Sequence, residues 1–322
     1  MPPTSAADAL AVRGRALIAV VASLLLVSCG ASATTDTITA TPTVLGTDAT
    51  TTIPGAVSPT TTGTRASTTT ERRTTTTTAP VCADPSARGT VTVLAASSMM
   101  NAFESVRAAF LRDHPCVTEL AISYGSSSVL AAQIVQGAPA DVFVAASQSA
   151  MNTVTNAGMT VGAASLFARN KGAIMVAPGS SFAGRIATVA DLFGGGIRTG
   201  LCVASAPCGS LANAILATAR TVYSNAGLTR SNIASETPSV EDLVTKIELG
   251  EFDAGIVYLS DCRYEVPRGL GTCVDIPDNV NSTNAYLVAT VSTKPVAAEF
   301  AAYVASASFT SRLQYVYGFL AP

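Results

Sequence analysis

Histidine is almost missing from this 322-residue chain: His114 is the only one, and it stands beside Pro115. A lone histidine in a loop leaves no evident Ser-His or Cys-His pair for nucleophilic catalysis. There is no Gly-x-Ser-x-Gly elbow and no Gly-Lys-Ser phosphate loop, and so no motif of the common hydrolases or nucleotide enzymes. No Cys-x-x-Cys pair or other ligand cluster is present, which argues against a metal site. Charge is scarce as well. Asp, Glu, Lys and Arg make up 12% of residues, the net charge is −2, and no basic run appears. That balance argues against a nucleic-acid partner.

What is present divides the chain. Residues 1–29 read as an export signal, with Arg13 and Arg15 ahead of the apolar run Ala16 to Val27, which is too short for a comfortable membrane span. The run ends in Leu26-Val27-Ser28-Cys29, which resembles a bacterial lipobox with Cys29 as the lipidated residue. A plain membrane anchor or a soluble secreted protein is the competing reading, and small residues just before a cysteine favour the lipoprotein. Cleavage there would remove Arg13, Arg15 and Asp8 and leave 17 basic against 20 acidic residues. Residues 30–80 read as a tether, since the stretch 31–80 holds 22 threonines with scattered Pro, Ser and Gly. Such a composition cannot bury enough surface to offset its ordering entropy. As a coil of about 50 residues it would reach on the order of 40 Å.

Residues 81–322 form the folded part, large enough for one domain of two lobes. Six cysteines lie in it: Cys82, Cys116, Cys202, Cys208, Cys262 and Cys273. An even count in an exported chain points to disulfides. Proximity favours Cys202–Cys208 and Cys262–Cys273, which leaves Cys82–Cys116.

The folded part repeats one local pattern: an apolar strand, a small or hydroxylated turn, then a helix. It occurs at Ala96-Ser97-Ser98, Gly125-Ser126-Ser127-Ser128, Pro207-Cys208-Gly209-Ser210 and Pro238-Ser239-Val240. Alternating strands and helices predict an α/β fold with a parallel sheet. Short strands are expected at Thr90–Ala96, Val117–Tyr124, Asp141–Ala145, Lys171–Ala177, Thr199–Ala204, Gly255–Leu259 and Asn284–Val291, and one mostly helical stretch over Val296–Tyr317. Ligands of open α/β sheets sit at the carboxyl ends of strands, where helix N-termini present free N–H groups to an anion. None of the four turns carries Lys or Arg, so the expected site holds an anion with neutral donors. On the residues alone, Ser98 and Ser127 read first as helix caps, Ser126 and Ser128 as caps or turn formers, Asp141 as structural and His114 as a surface residue.

Taken in order, these stretches resemble a known family, the periplasmic molybdate-binding proteins of ABC transporters. The resemblance rests on Val91-Thr92-Val93-Leu94-Ala95-Ala96-Ser97-Ser98, Ser126-Ser127-Ser128-Val129-Leu130-Ala131 with Gln133-Ile134, and Gly137-Ala138-Pro139-Ala140-Asp141-Val142-Phe143. It continues through Gly255-Ile256-Val257-Tyr258, Ser260-Asp261 and Tyr317-Gly318-Phe319. It implies a two-lobed periplasmic-binding-protein fold, each lobe a mostly parallel sheet flanked by helices, with the ligand in the cleft. Lobe 1 would be about 88–170 plus 284–322 and lobe 2 about 171–283, with crossings near Asn170 and Asn284. The implied ligand is molybdate, with tungstate hard to distinguish, delivered to a membrane permease by a non-enzymatic protein without a cofactor. The implied contacts are the hydroxyl and N–H groups of Ser98 and Ser127, the N–H groups of Cys208 and Val240, and the Tyr258 hydroxyl. The chain departs from the pattern at Ser97-Ser98-Met99-Met100, at Cys208 with its neighbour Cys202, and in the threonine-rich tether. The alternatives are a binding protein for sulfate, phosphate or a small organic anion, and a surface lipoprotein that uses the fold without transport.

Overall fold

The computed structural model describes residues 80–322. The expected signal, Cys29 and the tether through residue 79 lie outside the described residues. In chain order the elements are β1 (Gly89–Ala96), α1 (Met100–Asp113), β2 (Val117–Gly125), α2 (Ser127–Val135), β3 (Val142–Ala145), α3 (Gln148–Asn156) and β4 (Val161–Val176). They continue with β5 (Thr199–Cys202), α4 (Pro207–Val222), β6 (Ser235–Thr237), α5 (Val240–Glu248), β7 (Ala254–Tyr258) and α6 (Leu259–Glu265). Last come β8 (Thr272–Asp275), β9 (Thr283–Thr290), α7 (Pro295–Val304) and α8 (Ala307–Tyr317).

The strands lie in the order β2-β1-β3-β9-β4-β7-β5-β6, and β8 pairs with β4 off that path. β2, β1 and β3 are parallel, as are β7, β5 and β6. The two long connecting strands are not: β9 is antiparallel to β3 and β4, and β4 is antiparallel to β7 and β8. The sheet is therefore mixed rather than parallel throughout. β4 belongs to both halves. Its first part pairs with β9 as far as Lys171↔Thr283, and from Gly172↔Tyr258 onward it pairs with β7. Asn170 and Asn284 face each other in that register, where the strand passes from one half to the other. The segment predicted as a strand only from Lys171 is thus the second part of a 16-residue strand.

The apolar residues sort into separate cores. One draws on residues between Ala173 and Val280. The others draw on residues between Val91 and Ala168 and again between Tyr286 and Phe319. Helix α1 shows why the chain packs this way. Ala102, Phe103, Val106 and Phe110 recur on one face and are all buried. Phe103 meets Phe300 and Phe309 with ring centroids 5.6 Å apart, which joins α1 to α7 and α8. At the crossing, Gly172 lets α4 pack closely, since a Cβ there would overlap Ile215 Cδ1 and the isoleucine would have to move.

Val296–Tyr317 divides in two because the Ser306 side chain accepts the Phe309 N–H at 3.3 Å and starts a new helix. Leu259, expected at a strand end, instead opens α6. There Asp261 accepts the Tyr258 N–H at 2.9 Å and sets the helix start. The cysteines form three disulfides, Cys82–Cys116, Cys202–Cys208 and Cys262–Cys273. His114 is not a free surface residue: its ring stacks on Phe110, and Nδ1 lies 2.7 Å from Glu299. Asp141 ties the start of β3 to its neighbours, accepting from the Thr92 N–H and the Lys294 ammonium, each at 2.9 Å. No helix among the described residues is long and apolar enough to cross a membrane.

Candidate functional site

Four helix starts meet at one small pocket between the two sets of cores. Its lining includes Ser97 and Ser98 at the start of the 3-10 turn that leads into α1, and Ser126 and Ser127 at the start of α2. Pro207 and Cys208 come from the start of α4, Ser239 and Val240 from the start of α5, and Tyr258 from the end of β7. Ser98, Ser127, Cys208, Val240 and Tyr258, named from the sequence, all line this one pocket. Its empty space is about 200 Å³ including the mouth, and a water-sized sphere has only about 10 Å³ to move in. That suits one compact ion and is well below the few hundred Å³ typical of organic-ligand sites.

The starts are built to leave donors open. A helix begins with N–H groups that have no partner inside the helix. Ala96, Ser126 and Ala206, the residues at three of the four starts, make no side-chain capping bond. At α4 the first helical residue is Pro207, which has no N–H. The N–H of Cys208 is then the first donor of that helix. Gly209 follows because a Cβ there would overlap the Val203 carbonyl oxygen, so only glycine lets the helix start so close to the preceding loop. At α5 the Ser239 side chain accepts the Asp242 N–H at 3.2 Å. This cap serves the third residue of the helix and leaves Val240 at the pocket.

The hydroxyls are oriented by what they accept. Ser127 is 1% exposed, and its Oγ accepts the Ala146 N–H at 3.0 Å, which leaves the hydroxyl proton free to donate elsewhere. Ser98 Oγ lies 2.8 Å from the Tyr286 hydroxyl. The Tyr258 hydroxyl accepts from Asn284 Nδ2 at 3.0 Å, and the same Nδ2 also donates to the Pro207 carbonyl at 3.0 Å. Burial, more than its neighbours, drives the Tyr258 pKa far up, so the group stays a neutral hydroxyl donor. Burial raises Tyr286 in the same way.

No Lys, Arg, Asp, Glu or His lines the pocket. What faces it is the positive end of each helix dipole together with neutral N–H and O–H groups, a combination that attracts an anion. Carboxylates stand one layer out. Glu241, Glu248, Asp261 and Glu265 line a neighbouring cavity that shares Ser97, Ser98 and Val240 with the first. Burial, then Asp242, raises Glu241. Burial, aided by the Glu265 charge, lifts Asp261 to about 7.

Sequence reading missed three partners: Ala146, Tyr286, and Asn284 in its bonding role. Each acts across a long stretch of chain, and no local pattern marks it. It also took Ser126 and Ser128 for caps or turn formers. Ser126 stands at the cap position without a side-chain capping bond, and Ser128 sends its hydroxyl to the Ser205 carbonyl at 2.6 Å. Asn281, part of the Asn281-Ser282-Thr283 sequon, spends its side chain on Gly172, Ile276 and Ser282 backbone groups.

The mixed sheet, the paired cores and a pocket of converging helix starts define a two-lobed solute-binding protein. The family model for bacterial extracellular solute-binding proteins matches residues 91–319, and the chain belongs to that family. Within it, the molybdate-binding protein ModA of Mycobacterium tuberculosis H37Rv is 33% identical over 222 residues, 68% of this chain and 80% of the relative. ModA of Haemophilus influenzae is 35% identical over 96 residues, 30% of this chain and 37% of the relative. Among solved structures, the periplasmic molybdate-binding protein of Azotobacter vinelandii aligns with a TM-score of 0.60 at 20% identity, covering 72% of this chain and 99% of that one. The sulfate-binding protein SubI of M. tuberculosis aligns at 0.63 with 17% identity, covering 72% and 86%. At those identities the structures speak for the fold alone.

Proposed function

We propose that this protein captures a tetrahedral oxyanion outside the cytoplasmic membrane, molybdate first and tungstate as its near equivalent, and hands it to the permease of an ABC importer. The observation that carries the reading is the convergence of four helix starts and three hydroxyls on an ion-sized pocket without a charged side chain. The 33% identity to a molybdate-binding protein supports the choice of ion. In this reading Ser98 and Ser127 donate hydroxyl and N–H groups, Cys208 and Val240 donate N–H groups, and Tyr258 donates its hydroxyl. Burying a dianion is costly. Several charge-assisted hydrogen bonds, each worth about 1.5–3 kcal/mol, offset that cost.

Lobe 1 (about 88–170 plus 284–322) supplies Ser98 and Ser127, and lobe 2 (about 171–283) supplies the other three. An anion that bonds to both lobes favours the closed form, which the permease recognises. The paired Asn170 and Asn284 sit where the hinge would be. Selectivity follows from size and protonation. Sulfate is smaller and would stretch the donor set, and a protonated phosphate finds no carboxylate in the pocket lining to take its proton. The match to extracellular solute-binding proteins supports a binding protein rather than an enzyme. Lipid attachment through Cys29 would hold the domain at the outer face of the membrane, with the threonine-rich segment as its tether. Equilibrium dialysis against molybdate, with bound molybdenum counted by mass spectrometry, tests the capture. One molybdenum per chain is the expected result, and none retained would refute it.

A further inference from the structure

Several polar bridges join elements of the two core sets at or near the pocket, and those made by Ser128 and Asn101 lie outside the pocket lining. Ser128 is the second residue of α2, next to Ser127, yet its side chain takes no part in capping. Its hydroxyl crosses the cleft and donates to the Ser205 carbonyl at 2.6 Å. Others are Asn101 Nδ2 to Glu265 Oε1 at 3.3 Å, Asn170 Nδ2 to Ser260 Oγ at 2.8 Å, and Asn284 Nδ2 to the Pro207 carbonyl and the Tyr258 hydroxyl, each at 3.0 Å. Two of these acceptors, the Ser205 and Pro207 carbonyls, belong to one short segment.

That segment, 203–207, is held unusually firmly for a loop whose tip is exposed. The Cys202–Cys208 disulfide closes it. Val203 N–H donates to the Thr237 carbonyl at 2.8 Å, and Ala206 N–H donates back to the Val203 carbonyl at 3.0 Å. Arg230 holds both shoulders, donating to the Cys202 carbonyl at 2.8 Å and to the Gly209 carbonyl at 3.0 Å. One stapled segment therefore offers two carbonyls to the opposite side of the cleft and ends at the Cys208 N–H that faces the pocket. A closing bond is useful only if its acceptor is fixed beforehand, since ordering a loose loop on closure would consume most of the gain.

The geometry points to a latch: the Ser128 hydroxyl and the disulfide-stapled segment 203–207 hold the cleft shut and set how fast a bound anion escapes. Ser128 is a positioning residue that does not touch the ion. The kinetic part rests on the anion-capture reading above; the contact itself does not. Loss of one ordinary hydrogen bond corresponds to a change of about 2- to 12-fold. It should fall on dissociation, because the bond must break before the cleft opens to release the anion.

The test uses the full chain loaded with ⁹⁹Mo-labelled molybdate and chased with unlabelled molybdate. Ser128→Ala should speed release about 3- to 10-fold and leave association within about twofold, while Ser128→Thr, which keeps the hydroxyl, stays within about twofold of the parent. Opening the staple with Cys202→Ser plus Cys208→Ser should also speed release. Combined with Ser128→Ala it should give less than the product of the two effects, since both act on one contact. An unchanged release rate in Ser128→Ala, or effects that multiply fully, would overturn the latch. Hydrogen exchange of the ligand-free proteins reads the contact independently. Ser128→Ala should accelerate exchange across residues 203–210 on the far side of the cleft, and unchanged protection there would overturn the proposal. If the parent bound no molybdate, the functional reading would fall and the exchange result alone would decide the latch.

Discussion

Replacing Ser127 with alanine separates what the pocket does from what holds it together. The Ser127 Oγ has two roles. It accepts the Ala146 N–H at 3.0 Å in a fully buried setting, and it lines the pocket, where its proton is available to an anion. Alanine removes both. The stranded Ala146 N–H should cost about 1–3 kcal/mol of stability. For an ordered domain of about 240 residues, each kcal/mol lowers the melting temperature by about 2–4 °C. The lost donor to the anion should cost a further 1.5–3 kcal/mol of binding, a 10- to 150-fold weaker Kd. The control is Ser147→Ala, which removes a similar bond to the Ala150 N–H (3.2 Å) at the start of α3, away from the pocket lining. It should lower stability by about 1 kcal/mol and leave the Kd alone. Calorimetric titration with molybdate and thermal unfolding, run on the two variants and the parent, read both quantities. Equal Kd values for Ser127→Ala and Ser147→Ala would refute the role given to Ser127.

Tyr258→Phe should weaken molybdate binding about 10- to 100-fold with little thermal cost, because Asn284 keeps the Pro207 carbonyl as a partner; a Kd unchanged by titration would remove Tyr258 from the site. Asp261 carries a pH signature. Its folded pKa is raised from 3.8 to about 7 by burial and by Glu265. Between those values the folded protein keeps a proton that the unfolded chain has released, so stability falls as pH rises, by up to about 1.4 kcal/mol per unit. Asp261→Asn, whose amide oxygen can still accept the Tyr258 N–H, should flatten urea-unfolding stability between about pH 4 and 7; matching slopes in parent and variant would contradict this. Replacing Cys82 and Cys116 with serine opens a loop spanning 34 residues of sequence separation. It should cost about 2–4 kcal/mol in denaturant unfolding and leave the molybdate Kd unchanged, since neither cysteine lines the pocket.

The parts of the site that could be read from sequence are those written in local chemistry. Pro207 ahead of Cys208, Gly125 ahead of three serines and Ser239 ahead of two acids each mark a helix start within a few residues. The resemblance then ordered them into one pocket. What escaped is non-local. Ser98 meets Tyr286 across 188 residues and Asn284 meets Tyr258 across 26, with nothing in either stretch to announce the pairing. The long strand β4 was hidden by Arg169, Asn170 and Lys171, which look like the end of an apolar run. In the structure they sit where the strand leaves one half of the sheet for the other, and there Asn170 finds Ser260 at 2.8 Å. Helix α6 was hidden because Leu259 extends the apolar run of β7; the turn is set by Asp261 and by the disulfide from Cys262 to Cys273. The mixed sheet arises from β4 and β9, whose directions depend on the crossing of the halves rather than on either strand's own residues.

The central claim is that a cage of neutral donors selects a large tetrahedral dianion. Isothermal titration of the parent protein with molybdate, tungstate, sulfate and phosphate at one pH and ionic strength tests it most directly. One site per chain is predicted, with molybdate and tungstate bound far more tightly than sulfate, and phosphate weakest. Sulfate or phosphate binding more tightly than molybdate would contradict the account.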